Sequence, residues 1–249
     1  IPGGLASVMP IDYSAQRRPG ATPDEGHIAI PAAFARLQLD PLSSIEGFYQ
    51  LAFVPNELPG CGTFFATVDY AAQGCNMVML SPSLAATDRA LFAAGSYMGR
   101  VADLPVSDSG QFGIAYAQTV PAIGTRFAFH ASRYHSRMPM YGPIKNSNPG
   151  NVPLIPPFGS GDVRYFAEYP EDIQSYSLSF ASRLPGLALM GEYTYRPNQP
   201  VQLSPVDLLY AFTSNTLPSP LRADAAATPA GGIYHGYDRL KVSHLTLGA

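Results

Sequence analysis

Ile173-Gln174-Ser175-Tyr176-Ser177-Leu178-Ser179-Phe180-Ala181-Ser182-Arg183-Leu184, then Pro185-Gly186, then Leu187-Ala188-Leu189-Met190-Gly191-Glu192-Tyr193-Thr194-Tyr195-Arg196-Pro197, reads as two strands and a tight turn. Successive side chains of a strand point to opposite faces. Tyr176, Leu178 and Phe180 therefore share one face, and Ser177, Ser179 and Ala181 the other. After the turn, Leu187, Leu189, Gly191, Tyr193 and Tyr195 oppose Ala188, Met190, Glu192, Thr194 and Arg196. A tilted strand crosses the core of a bilayer in about 9–11 residues. Strands of soluble proteins average about 5–6. These two, about 173–184 and 186–197, have the longer length. Tyrosines near a strand end suit an interfacial aromatic girdle.

The same pattern recurs upstream. A first hairpin spans about 28–39 and 43–54 around Asp40-Pro41-Leu42. A second spans about 110–120 and 124–135 around Pro121-Ala122-Ile123-Gly124, and a last strand, about 237–247, alternates less cleanly. Long irregular stretches separate the hairpins, roughly 55–109, 136–172 and 198–236. Successive connections of an antiparallel sheet fall at opposite strand ends, so all short turns lie at one end and all long loops at the other. Outer-membrane barrels sort their connections in this way, with short periplasmic turns and longer extracellular loops. Alternation alone fits a soluble sandwich equally well; strand length and loop sorting decide. The expected fold is all-β: an antiparallel transmembrane β-barrel forming a single domain over residues 1–249. Single-chain bacterial barrels have an even number of strands, and lipid punishes an open edge. A count of seven, with a start at Ile1 in what reads as a loop, predicts a segment of a larger barrel.

Composition agrees. Charged residues make up 13% of the 249, against the usual quarter. There are 15 Tyr and 13 Phe but no Trp, and 23 Gly with 25 Pro. No apolar run is long enough for a membrane helix. A net charge of −3 without basic clusters argues against nucleic acid as a partner. Cys61 and Cys75 sit in one polar, glycine-flanked loop without Cys/His metal spacing, which predicts a disulfide and an oxidising compartment. A chain opening at Ile1 without Met reads as a mature or truncated piece, so no inference is drawn from the lack of a signal peptide.

Charged groups on the small-residue face are the first site candidates. Arg36, Glu46, Arg126, His130, Glu192 and Arg196 would face the lumen, where charge tunes selectivity or forms a salt-bridged plug. Arg133, His135 and Arg137 lie where a strand leaves the membrane, and Arg binds phosphate bidentately. Lipopolysaccharide phosphates are one reading of that rim; ordinary rim charge with packing contacts is the other and is favoured. Glu168, Glu171 and Asp172 offer carboxylate oxygens of a kind that suits Ca²⁺, but Pro170 interrupts them and a solvated loop is favoured. Residues Leu84–Met98 are Ala-rich and predict a short helix, and Phe64-Phe65 either line an apolar entrance or are buried within their loop, burial being favoured. Enzyme signatures are absent: Gly159-Ser160-Gly161 lacks the Gly-x-Ser-x-Gly frame, and there is no His-Glu-x-x-His. His130 or His135 with Ser132 is the one pairing that would support an outer-membrane lipid-modifying enzyme. No cofactor is expected.

Several blocks resemble the DUF1302 family of Gram-negative bacteria. They are Ile11-Asp12 … Arg18-Pro19-Gly20-Ala21, Ser44-Ile45-Glu46-Gly47-Phe48-Tyr49-Gln50, Gly62-Thr63-Phe64-Phe65 … Asp69-Tyr70, Asp108-Ser109-Gly110-Gln111-Phe112-Gly113, and Tyr134-His135-Ser136-Arg137-Met138-Pro139. Glu168-Tyr169-Pro170-Glu171-Asp172-Ile173, Gly191 to Pro197, and Pro200-Val201-Gln202-Leu203 continue the series in family order. The resemblance implies an outer-membrane barrel made with a signal peptide and longer than this chain. It implies partners as well: outer-membrane lipid, a DUF1329-like lipoprotein-carrier protein and an RND-type exporter. Export or trafficking of a lipid or other hydrophobic or amphiphilic compound is the function so implied, without catalytic residues to carry over. A structural or adhesive surface barrel is the alternative.

Overall fold

All seven long strands read from the sequence form, and they pair as one sheet. The computed structural model describes residues 8–66, 69–72, 74–80, 86–145, 164–213 and 217–249. The Gly159-Ser160-Gly161 stretch and the start of the predicted 84–98 helix lie outside them. In chain order the strands are β1 (Ala32–Asp40), β2 (Ser43–Gln50), β3 (Met77–Met79), β4 (Tyr97–Arg100), β5 (Phe112–Val120), β6 (Thr125–Tyr134), β7 (Met140–Ile144), β8 (Arg164–Glu168), β9 (Ile173–Leu184), β10 (Leu187–Gln202) and β11 (Tyr237–Gly248). The helices are α1 (Tyr13–Gln16), α2 (Asp88–Ala93), α3 (Pro205–Thr213) and α4 (Arg222–Ala227).

The large sheet has the order β1-β2-β5-β6-β9-β10-β11, antiparallel throughout. Its short turns are held by local chemistry. The Asp40 carboxylate accepts from the Leu42 and Ser43 amides at 2.7 and 2.9 Å, the side-chain-to-backbone bonding that makes Asp a turn residue. Gly124 has φ +57, and a Cβ there would meet the Arg183 carbonyl at 2.8 Å, so both backbone conformation and space require glycine.

Register aligns the faces. One row runs Leu37–Ile45–Tyr116–Phe129–Leu178–Tyr193–Leu245, each residue the cross-strand partner of the next. Two rows on the opposite face run Arg36–Glu46–Ala115–His130–Ser177–Thr194–His244 and Gln38–Ser44–Ala117–Ala128–Ser179–Glu192–Thr246. The apolar face is the exposed one: Leu178 is 56% exposed, while its neighbour Ser179 is 2% exposed. A sandwich in water would bury the apolar face and expose the polar one.

The long connections are not irregular, as the sequence suggested. They contribute a second sheet, β3-β4-β8-β7, in which β4 and β8 are parallel and the other pairs antiparallel. The expected 84–98 helix shrinks to α2, capped by the Thr87 hydroxyl, and then becomes β4. The chain is fastened to β7 along its approach to β11. The Gln202 side chain accepts from the Tyr141 amide at 2.7 Å and donates to the Tyr141 and Gly236 carbonyls at 3.0 and 2.7 Å. Ile233 bridges Ile144, and the Tyr234 amide donates to the Pro143 carbonyl at 3.0 Å. Behind β7, Leu208, Ala211 and Phe212 of α3 pack with Ala225 of α4. Lys145 donates to the carbonyls of Ala225, Ala226 and Thr228, closing the C-terminal end of α4, where a cation meets the negative end of the helix dipole.

A Cβ at Gly236 would lie 1.7 Å from the Tyr141 carbonyl oxygen. Gly236→Ala is therefore expected to push this segment off β7 and destabilise the protein by about 2 kcal/mol, within the range of overpacking. Denaturant unfolding of the two chains checks this, and coincident curves would mean that the segments do not touch.

Candidate functional site

The polar face of the large sheet gathers the six charged residues that the sequence singled out, and register decides which meet. Arg36 and Glu46 are direct cross-strand partners on β1 and β2. His130 shares their row two strands further along, flanked by Ala115 and Ser177. Glu192 lies in the adjacent row opposite Ser179, and its carboxylate accepts from the Thr194 hydroxyl at 3.1 Å. Glu192 and Glu46 are the acids whose charges act on His130. Arg126 sits nearer the short-turn end, opposite Thr119 and Ala181. Arg196 stands apart at the loop end, paired with Val242 beside a register shift. Arg36, Glu46, His130 and Glu192 thus fall in two adjacent rows of the face, spread from β1 to β10.

His130 is the unusual member. It is buried, and neither ring nitrogen has a hydrogen-bond partner among the described residues. A buried imidazole without partners carries the desolvation cost of both nitrogens. The small Ala115 and Ser177 beside it leave that side chain as the chemical feature of the face. Ser132, the neighbour that the enzyme reading needs, pairs with Gly113 and Ser175 and has no hydrogen bond to His130 among the described residues.

The rim residues form a clasp. Arg133 binds the Asp172 carboxylate at 2.7 and 2.8 Å through two nitrogens. His135, only 1% exposed, accepts from the Asp172 amide through Nδ1 at 3.2 Å. Its proton is thereby placed on Nε2, which donates to the Ser109 carbonyl at 2.9 Å. Arg137 donates to the carbonyls of Val8 and Val54 at 3.1 and 2.8 Å and to the Gln50 side chain, with its guanidinium 5.1 Å from the Phe53 ring centre. Burial pulls the Arg137 guanidinium down to about 10, so it remains charged at neutral pH. These three side chains are engaged with the protein's own carbonyls, amides and carboxylate.

The three acids divide. His135, Glu171 and Asp172 bring ligand-type atoms within 4.8 Å of one another. Each is engaged: Glu171 accepts from the Ser107 amide at 2.9 Å, Asp172 holds Arg133, and both His135 nitrogens are bonded. Glu168 belongs to a different contact. Its carboxylate meets His235 Nδ1 at 2.6 Å, and burial pushes the Glu168 carboxyl upward while His235 draws it back. Cys61 and Cys75 form the expected disulfide, with Cα atoms 5.3 Å apart. Phe64 and Phe65 contact edge to face at 5.1 Å, but Phe64 is 94% exposed, which corrects the expectation of burial. Burial failed because Arg17, 48 residues away, docks on Phe65 and its carbonyl and leaves Phe64 outside. An apolar pocket formed by α3 and the second sheet escaped the sequence reading altogether, because its walls come from short segments far apart in the chain.

The bond from Arg133 holds the Asp172 carboxyl below its ordinary value. The pair's contribution is complete above the ordinary carboxylate range and is lost as pH falls through the depressed value. Asp172 has φ +64, a conformation that Asn tolerates as well as Asp. Asp172→Asn is expected to lower stability at neutral pH and to flatten the acid limb. Unfolding midpoints across the acid range test this, and an unchanged slope would place the acid sensitivity elsewhere.

No curated protein and no solved structure matches the chain. A family model does match, over residues 1–249, and its description is a protein of unknown function. The chain belongs to the DUF1302 family.

Proposed function

We propose that this protein is part of an outer-membrane β-barrel that passes a hydrophobic or amphiphilic compound outward. The carrying observation is the unbroken row Leu37–Ile45–Tyr116–Phe129–Leu178–Tyr193–Leu245 on the exposed face. Contiguous apolar surface of this extent marks a membrane or protein contact. The bilayer is favoured because the row crosses all seven strands and the opposite face is polar. The short turns then face the periplasm and the long connections the outside.

Edges supply a second support. Seven strands in antiparallel order leave β1 and β11 running the same way, each paired on one side among the described residues. Pairing them to each other would be parallel. Antiparallel closure takes an odd number of further strands and so yields the even total usual for such barrels. Hydrocarbon enforces closure, because unpaired backbone groups cost several kcal/mol there. The Arg36, Glu46, His130 and Glu192 group then faces the lumen. A lipoprotein-carrier-like periplasmic protein and an RND-type exporter are the partners that would deliver the cargo.

Leu178→Arg separates lipid from water as the medium of the exposed face. In the bilayer it is expected to cost about 2–4 kcal/mol near the midplane and to lower the yield of folded protein in outer membranes. A variant that folds normally and dissolves without detergent would overturn the membrane reading. Deletion of the protein is expected to abolish outward flux of a hydrophobic dye from loaded cells. Unchanged flux would support a structural or adhesive barrel instead.

A further inference from the structure

The layer made by the long connections contains a half-open cavity of about 210 Å³. One wall is a cluster of three tyrosines. The Tyr70 ring lies edge-on to Tyr141 at 5.3 Å and to Tyr165 at 6.4 Å. Val78 and Met98 of the second sheet supply another wall, and Leu209 and Phe212 of α3 a third. Val206, 54% exposed, stands at the mouth.

The polar atoms of this wall turn away from the space. Tyr165 donates its hydroxyl to the Tyr70 carbonyl at 3.0 Å, and Tyr141 to the Ala71 carbonyl at 3.3 Å. Thr213 donates to the Leu209 carbonyl at 2.6 Å. Burial pushes the Tyr165 phenol up to about 12 and the Tyr141 phenol upward as well, so both are neutral at any physiological pH. A polar occupant would give up its hydration here with little in return.

We propose that this cavity holds the hydrocarbon end of an amphiphile, with the head group outside in water. Size selects the class. An apolar cavity of about 150 Å³ accepts benzene, and pockets for whole drug-sized ligands begin near 300 Å³. The cavity of about 210 Å³ falls between these limits, which fits the terminal part of an acyl chain or a single ring rather than an entire lipid. The open side lets the rest of the molecule remain outside. Binding stands without the transport reading; only the role of the bound molecule as cargo rests on it.

These 249 residues contain no tryptophan, so an added indole meets no background from them, and the chain without the addition is titrated as the blank. Val206→Trp places it at the mouth, on a side chain already exposed. The protein in detergent micelles is titrated with 9,10-dibromostearate, whose bromines quench indole on contact, and in parallel with stearate. Saturable quenching by the brominated acid, reversed by stearate, is expected. Adding Val78→Phe to the reporter chain fills the cavity and is expected to weaken binding at least tenfold. Should V78F not fold, Leu209→Gln places an amide in the space at similar volume, with the same expectation. Quenching that does not saturate, or that survives V78F or L209Q in the folded protein, would mean partition into the micelle and would overturn the site. Solubility without detergent sinks the barrel and leaves the pocket; loss of the pocket leaves the barrel.

Discussion

Register is the constraint on which the rest of this structure depends. A slip of one residue in a strand carries every side chain to the other face. Seven strands are in phase here, so one slipped hairpin would put Tyr116 or Leu178 among the serines and Glu192 or His130 on the apolar side. The phase is set at the short-turn end. Asp40 ties its own turn, and Gly124 and Gly186 take positive φ where other residues would be strained. The long connections impose no such phase, and they are where the second sheet and the helices have room to form.

The large sheet was legible because two local signals coincided: period-two alternation and turn residues at the right spacing. The limits of each strand were less legible. β10 runs on to Gln202, beyond the predicted 197, despite Pro197 and Pro200. Proline demotes a strand in a sequence reading because it cannot donate to the ladder. Here a register shift between Arg196 and Gln199 accommodates the first proline, and pairing resumes from Gln199 with Leu240. β3, β4, β7 and β8 are three to five residues long, too short for alternation to register. Their pairing joins residues as far apart as Gly99 and Arg164, which nothing local announces.

The candidate residues were legible in kind but not in use. Arg133, His135 and Arg137 looked like a cationic rim because their partners are remote in sequence. Asp172 is 39 residues from Arg133, and the Val8 carbonyl is 129 from Arg137. A buried charge is retained where it is bonded in the native state, and these donors are bonded to the protein itself. The lumen-face candidates fared differently, since alternation fixes a strand residue's face without knowledge of its partners. Arg36 and Glu46 are cross-strand partners, a pairing that depends on register, which alternation alone does not fix.

Two apolar surfaces of different design follow from these two ways of building. The belt is made by alternation, one residue in two, and is broad and shallow. Such a surface can be wetted by any hydrocarbon and selects none. The cavity beside the tyrosine cluster is made by elements that do not alternate, from segments between Tyr70 and Thr213, and is concave and half-open. Concavity turns apolar contact into a preference for shape. Because the long connections all leave from the end opposite the short turns, the proposed barrel orientation carries this cavity to the outer side. A molecule moving through the lumen would meet the polar face first and the apolar cavity last. Held by its hydrocarbon end at that point, an amphiphile would already be past the membrane's periplasmic side, and its release would be governed by a small contact area rather than by the whole molecule's aversion to water. About 25 cal/mol per Å² of buried apolar surface then sets how long it stays, and a cavity that takes only the end of a chain keeps that hold weak enough to let go.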